Sequence, residues 1–307
     1  MKKFIFRVVI FGIILLISAF VADFVISKNL RKSTLENLIG WNEIYSGNLQ
    51  SDVVIIGNSR ALVQYSPQIL DSILDINSYN LGINGVQINR QIIKYDTYRR
   101  FNTKPKVIIQ NIEEITMHIS TGYNNDQFFP YFFDDSLMMK ISEYEKFNIL
   151  EKYFPIYRYI GYTNLILHGL GINENSGLYF NKGYFEIDRL WNGARIPESE
   201  QNHSQDNLAL RLFDEYLAKA HSENIQVIFV YAPMYIARRE KIKNIEGMYQ
   251  MYDTIAKKYN IPILNYFYEP ICYDTNYFYD ANHLNKAGAE IFSIKLAHDI
   301  DSLGILF

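Results

Sequence analysis

Asp52-Val-Val-Ile-Ile-Gly-Asn-Ser-Arg60 is the stretch from which the rest of the chain can be read. Residues 53–56 are four β-branched side chains in a row with no helical period, the pattern of a buried strand. Gly57 allows the sharp exit that a strand-to-loop corner requires, so Ser59 is delivered at the carboxyl end of that strand. In open α/β sheets ligands bind at this edge. Alone, the stretch fits two readings, a nucleophilic serine or an ordinary turn between strand and helix.

Outward from it, strands and helices alternate. After a short turn, Ser66-Pro67 places an N-cap residue and a first-turn proline before a helix that carries Ile69, Leu70, Ile73 and Leu74 inward. A second strand is expected at 78–81, ending at Gly82-Ile-Asn-Gly85, then a helix over 87–101, closed by Lys104-Pro105. A third strand at 106–110 delivers Asn111. The alternation resumes at Gln205 with a helix to His221, a strand at 225–231, a helix at 245–259, a strand at 261–265 and a last helix over 286–303. Strands separated by helices imply crossover connections, hence an α/β fold with a five-stranded parallel sheet.

Between these halves, 115–204 reads as an insertion or cap. It is rich in aromatics, including Phe128-Phe-Pro-Tyr-Phe-Phe133, Tyr153-Phe-Pro-Ile-Tyr157, Tyr179-Phe180, Tyr184-Phe185 and Trp191, and glycines at 161, 169, 171, 177, 183 and 193 interrupt it. An amphipathic helix is expected over 136–153. Aromatics so placed form the insertion's own core; the functional alternative is a surface for sugar rings or an acyl groove.

The N-terminus has the pattern of an export signal. Lys2, Lys3 and Arg7 precede an uncharged run over 8–22, which extends past Asp23 to Ile26 and is then long enough to cross a bilayer. Phe20-Val21-Ala22 is a poor cleavage site, which favours an uncleaved anchor over a cleaved signal sequence. The chain therefore divides into an anchor or signal at 1–27, a linker or short helix at 28–50 and an α/β domain at 51–307, with the body expected outside the cytoplasm. The 307 residues carry a formal charge of -3, which gives no basic footprint for nucleic acid. A single cysteine, Cys272, excludes an internal disulfide and a cysteine-based metal site.

Four features fall at corresponding places: Ser59, Gly82 and Asn111 after successive strands, and Asp280-Ala-Asn-His283 before the last helix. Acyl transfer needs a nucleophile, a base, a group that orients the base, and donors for the developing oxyanion. Here Ser59, His283 and Asp280 would fill the first three roles. The amides of Ser59 and Gly82 and the side chain of Asn111 would form the oxyanion hole. Arg60 would bind an anionic substrate group or pair with a carboxylate, and Asn58 stands beside it as a further candidate for substrate binding. Asp280 and His283 could instead ligate a metal, but no third ligand stands near them in sequence.

On these residues the chain resembles the SGNH hydrolases, also called GDSL esterases and lipases. The serine block is Gly57-Asn58-Ser59-Arg60, with asparagine where the family has aspartate; the glycine block is Asn80-Leu81-Gly82-Ile83-Asn84-Gly85; the third is Gln110-Asn111-Ile112-Glu113; the last keeps Asp280-x-x-His283. The resemblance implies a flavodoxin-like three-layer α/β/α sandwich and an acyl-serine intermediate formed without a cofactor. With its anchor, its Asn58-Ser59 block and its large insertion, the chain is similar to membrane-anchored members that look like envelope proteins moving or removing acyl groups on polysaccharides. This gives the expected function: a serine esterase or O-acyltransferase acting on an acylated glycan. A transferase would also need an acyl donor, which a membrane-bound acyltransferase partner could supply. A different class is a non-catalytic glycan-binding or scaffold protein that kept the fold. Retention of Ser59, Asp280 and His283 together argues against it.

Overall fold

The computed structural model describes residues 1–122, 124–172, 179–192, 196 and 205–306. Gly177, Gly193 and His203 lie outside them. Along the chain the helices are α1 (Lys2–Leu30), α2 (Glu36–Ser46), α3 (Ser59–Gln64), α4 (Pro67–Leu74), α5 (Ile88–Phe101), α6 (Asp135–Ser142), α7 (Ile149–Tyr153), α8 (Thr163–Gly169), α9 (Asn207–Ser222), α10 (Ile236–Arg239), α11 (Ile245–Tyr259) and α12 (Lys286–Ser302). The strands are β1 (Val53–Ile56), β2 (Ser78–Asn80), β3 (Val107–Asn111), β4 (Tyr179–Asn181), β5 (Tyr184–Glu186), β6 (Gln226–Tyr231) and β7 (Ile263–Asn265). The chain forms two compact units, one of 1–43 with 121–177 and one of 44–120 with 178–307.

The larger unit is the expected α/β fold. Five parallel strands lie in the order β2-β1-β3-β6-β7. Val54 of β1 is in register with Tyr79 on one side and Ile108 on the other. Side chains alternate across the strands. Val54, Ile56, Ile108 and Phe229 join residues of α5, α9 and α11, while Val53, Ile55, Ile109 and Ile228 join those of α4 and α12, which makes three layers. The strand order reverses direction between β1 and β3, the switch point at which such sheets open a crevice. Ser59 leaves β1 there.

Two local expectations change. Residues after Ser59 form the helix α3 rather than a bare turn, because Asn58 caps it by accepting the Arg60 N–H at 3.0 Å. A hairpin of β4 and β5 was not foreseen. Lys182 and Gly183 both take positive φ at its tip, and a Cβ on Gly183 would lie 1.8 Å from the Asn80 carbonyl oxygen, so the tip requires glycine.

In the smaller unit α1 is one unbroken helix, long and apolar enough to cross a membrane or serve as a signal sequence. Its final turns are built into the fold: Ile26, Ser27 and Leu30 are buried, and Asp23 pairs with Arg158 at 2.5 Å. Trp41 of α2 is buried edge-on against Phe128, and Phe129 packs on Tyr159, so many of the aromatics do form a core. The expected helix over 136–153 is two helices. Asn148 and Glu151 make a reciprocal capping box that starts α7 afresh.

Candidate active site

Ser59 is the first residue of α3 and is half-buried between the buried Asn58 and Arg60. β1 fixes its height and α3 its direction. His283 and Asp280 arrive on the loop before α12, which is pinned from several sides. Phe278 bridges Leu284, the Tyr279 N–H donates to the His283 carbonyl at 3.1 Å, and Asn285 caps α12 by accepting from the Gly288 N–H at 3.1 Å. The Trp191 N–H donates to the Phe278 carbonyl at 2.9 Å, and the Tyr235 N–H to that of Ala281 at 3.3 Å.

The three side chains meet in one line. His283 Nε2 lies 2.8 Å from Ser59 Oγ, and Nδ1 lies 2.8 and 2.9 Å from the two oxygens of Asp280. Asp280 Oδ1 also accepts the backbone N–H groups of Asn282 at 2.8 Å and His283 at 3.0 Å. Burial works against the Asp280 charge, but these bonds outweigh it and hold the carboxyl below its ordinary value. An ionised Asp280 only accepts, so the ring proton sits on Nδ1 and Nε2 is free to accept from the serine hydroxyl. Tyr279 stacks on the imidazole with centroids 5.3 Å apart and planes 6° from parallel. The Arg189 guanidinium lies over the Tyr279 ring at 5.1 Å.

Two of the expected oxyanion donors bond other groups of the chain. The Gly82 N–H donates to Asn80 Oδ1 at 2.8 Å. Asn111 is fully buried; its Nδ2 donates to Glu113 at 3.0 Å and its Oδ1 accepts from Tyr65 at 2.7 Å. Gly82 is bare for a packing reason, since a Cβ there would lie 2.5 Å from the Leu62 amide nitrogen.

Arg60 and Asn58 are both buried. Arg60 Nη2 lies 3.2 Å from Glu113 and 3.1 Å from both oxygens of Glu114, and Arg238 reaches Glu114 at 3.5 Å. Asn58 is spent on capping α3 and on a bond to Glu113. The sequence signal for this cluster is the adjacent pair Glu113-Glu114 at the β3 exit.

Glycine is also needed at Gly288, where a Cβ would lie 2.3 Å from the Tyr277 carbonyl oxygen, two residues before the Tyr279 stack. Gly288→Ala is expected to push the histidine loop off its seat. Turnover of an aryl acetate should fall by roughly 10²-fold, the size of effect that about 1 Å of misplacement produces. Steady-state kinetics beside a melting curve checks this.

No protein-family model matches the chain, and no curated protein sequence matches it at a significant level. Solved structures do. A Streptococcus pneumonia protein provisionally described as a platelet activating factor is 12% identical, with 98% of this chain and 99% of that one covered and a TM-score of 0.42. A protein from Desulfitobacterium hafniense DCB-2, provisionally described as a lipolytic protein of the G-D-S-L family, is 14% identical over 82% of this chain and 99% of that one, TM-score 0.39. A GDSL-like lipase from Bacteroides thetaiotaomicron VPI-5482 is 14% identical over 85% and 98%, TM-score 0.38. At this level the likeness stops at the chain trace, and the chemistry of the site rests on its own geometry.

Proposed function

We propose that the chain is a membrane-anchored serine esterase or O-acyltransferase that works through an acyl-serine intermediate on an acylated envelope or extracellular polysaccharide. The observation that carries the chemistry is the hydrogen-bonded line from Ser59 Oγ through His283 to Asp280, with 2.8 Å on either side of the ring. In the first half-reaction His283 Nε2 takes the serine proton as Oγ attacks the ester carbonyl carbon, and Asp280 offsets the imidazolium charge. Collapse breaks the bond to the leaving oxygen, which takes that proton. Water or a sugar hydroxyl then attacks the acyl-serine with His283 as base again. Both outcomes share the first half, so exclusion of water from the acyl-enzyme decides between them.

For the anchor, the support is α1. Apart from Arg7, whose long side chain can reach the headgroups, the helix from Phe4 to Ala22 is uncharged and mostly exposed, and it spans about 28 Å at helical rise, close to the thickness of a bilayer's hydrocarbon core. The helix continues without a break into the body through Asp23 and Ser27, which favours an anchor that stays attached. A second reading, a non-catalytic glycan-binding scaffold, is favoured by one observation: Gly82 and Asn111 have their donors committed elsewhere.

The test is intact-protein mass after treating the detergent-solubilised full chain with a fluorophosphonate, comparing wild type with Ser59→Ala and His283→Ala. An adduct confined to wild type supports the enzyme. A folded wild-type protein that takes no adduct would sink it and leave the scaffold.

A further inference from the structure

We infer that residues 154–172 form a collar that lies in the lipid headgroup layer around the foot of α1, so that the smaller unit rests on the bilayer instead of hanging from it by a tether. The inference rests on the reading of α1 as a membrane anchor. Asp23, the first charge after the apolar run, is held by this segment: its carboxylate accepts the Ile156 N–H at 2.7 Å and an Arg158 N–H at 2.5 Å. One turn on, Ser27 bonds Tyr159 at 2.8 Å and accepts from Arg158 at 3.0 Å. Asn29 donates to the Gly169 carbonyl at 2.7 Å, and Gly169 is packed so closely on Ile26 that a Cβ would meet its side chain at 2.7 Å.

These contacts fix the height of the segment along the helix. From Asp23 to Asn29 is about 9 Å at helical rise, and the interfacial layer outside the hydrocarbon core is roughly 5–8 Å deep. Phe154 and Ile160 flank the residues that hold Asp23; Leu170 and Ile172 follow Gly169 further out. All four are large, apolar and open to solvent, with exposures of 51%, 66%, 48% and 64%. Such residues, staggered over the depth of the interfacial layer beside an apolar helix, match the apolar face of a protein lying in an interface. A single exposed Leu would need no explanation. Between 154 and 172 the only Lys, Arg, Asp or Glu is Arg158, which is paired with Asp23, so the collar's own exposed surface is apolar and a zwitterionic bilayer should hold it.

The experiment reconstitutes the full chain in phosphatidylcholine vesicles. Cys272 is fully buried, so a nitrobenzoxadiazole dye can be attached at one introduced cysteine: Ile14→Cys in the span, Phe154→Cys, Ile160→Cys or Ile172→Cys in the collar, and the exposed Glu36→Cys beyond the foot. Lipid spin labels near the carbonyls should quench Phe154 and Ile160 strongly and Ile172 less. Labels near the chain ends should quench Ile14 most, and Glu36 should be quenched by neither. If Ile14 is quenched and the collar is not, the collar is wrong while the anchor stands. Collar dyes shielded from aqueous iodide yet untouched by lipid quenchers would mean a protein covers them, which also overturns it. An unquenched Ile14 removes the anchor and the collar with it.

Discussion

Ser59→Ala is expected to reduce ester turnover by about 10⁴-fold or more while leaving the fold as it is. The hydroxyl bonds His283 Nε2 at 2.8 Å at a half-buried surface position, so its loss creates no cavity in the core and strands no charge. A stability change within about 1 kcal/mol follows. His283→Ala should cost a similar factor, because without a base the hydroxyl is a poor nucleophile at neutral pH. The informative variant is the double one. Residues that act as a unit are strongly non-additive, so Ser59→Ala with His283→Ala should be no slower than either alone. Two independent factors that multiply would mean that the 2.8 Å contact between them is packing without proton transfer, and burst kinetics on an aryl acetate would then show no acyl-enzyme in wild type either.

What could be read from the chain was whatever local pattern decides. The run at 53–56, the two glycines at the β2 exit and the apolar run at β3 each announce a strand by themselves, and the parallel sheet follows from the helices between them. The encounter of Ser59 with Asp280 and His283 was legible too, because strand ends of such a sheet converge on one edge and the acid stands three residues before the base. Missed features depend on which way the chain and its side chains turn as a strand leaves the sheet. Whether Asn111 faces a substrate or Glu113 depends on how β3 leaves the sheet, and whether Arg60 reaches solvent or Glu114 depends on how α3 lies on that exit. The break between α6 and α7 is a different case. Its signal, Asn148 with Glu151 three residues on, was present and was overridden by helical periodicity.

Arg60→Met should be the most destabilising single change near the site, costing about 3–5 kcal/mol, because breaking a buried ion pair leaves uncompensated charge behind. Its guanidinium is 3% exposed and serves two carboxylates that are nearly as buried. Without it Glu113 and Glu114 lose the cation 3.1–3.2 Å from their oxygens, while Arg238 lies 3.5 Å from Glu114. Burial first, opposed by Arg60, and then the charge of Glu114 push the Glu113 carboxyl up to about 7 from an ordinary 4.5. The folded protein therefore binds a proton that the unfolded chain has released between those values. Glu113's contribution to stability is complete below about pH 4.5 and is lost as pH rises to about 7. Glu113→Gln keeps the shape and removes the titration, so it should flatten that part of the stability profile. Placed on top of Arg60→Met, it should restore part of the loss, since the pair shares one network. Urea unfolding of the four proteins at pH 5 and at pH 8 closes the cycle. A double variant no more stable than Arg60→Met at either pH would mean that Arg60 stabilises the turn beneath Ser59 by packing alone.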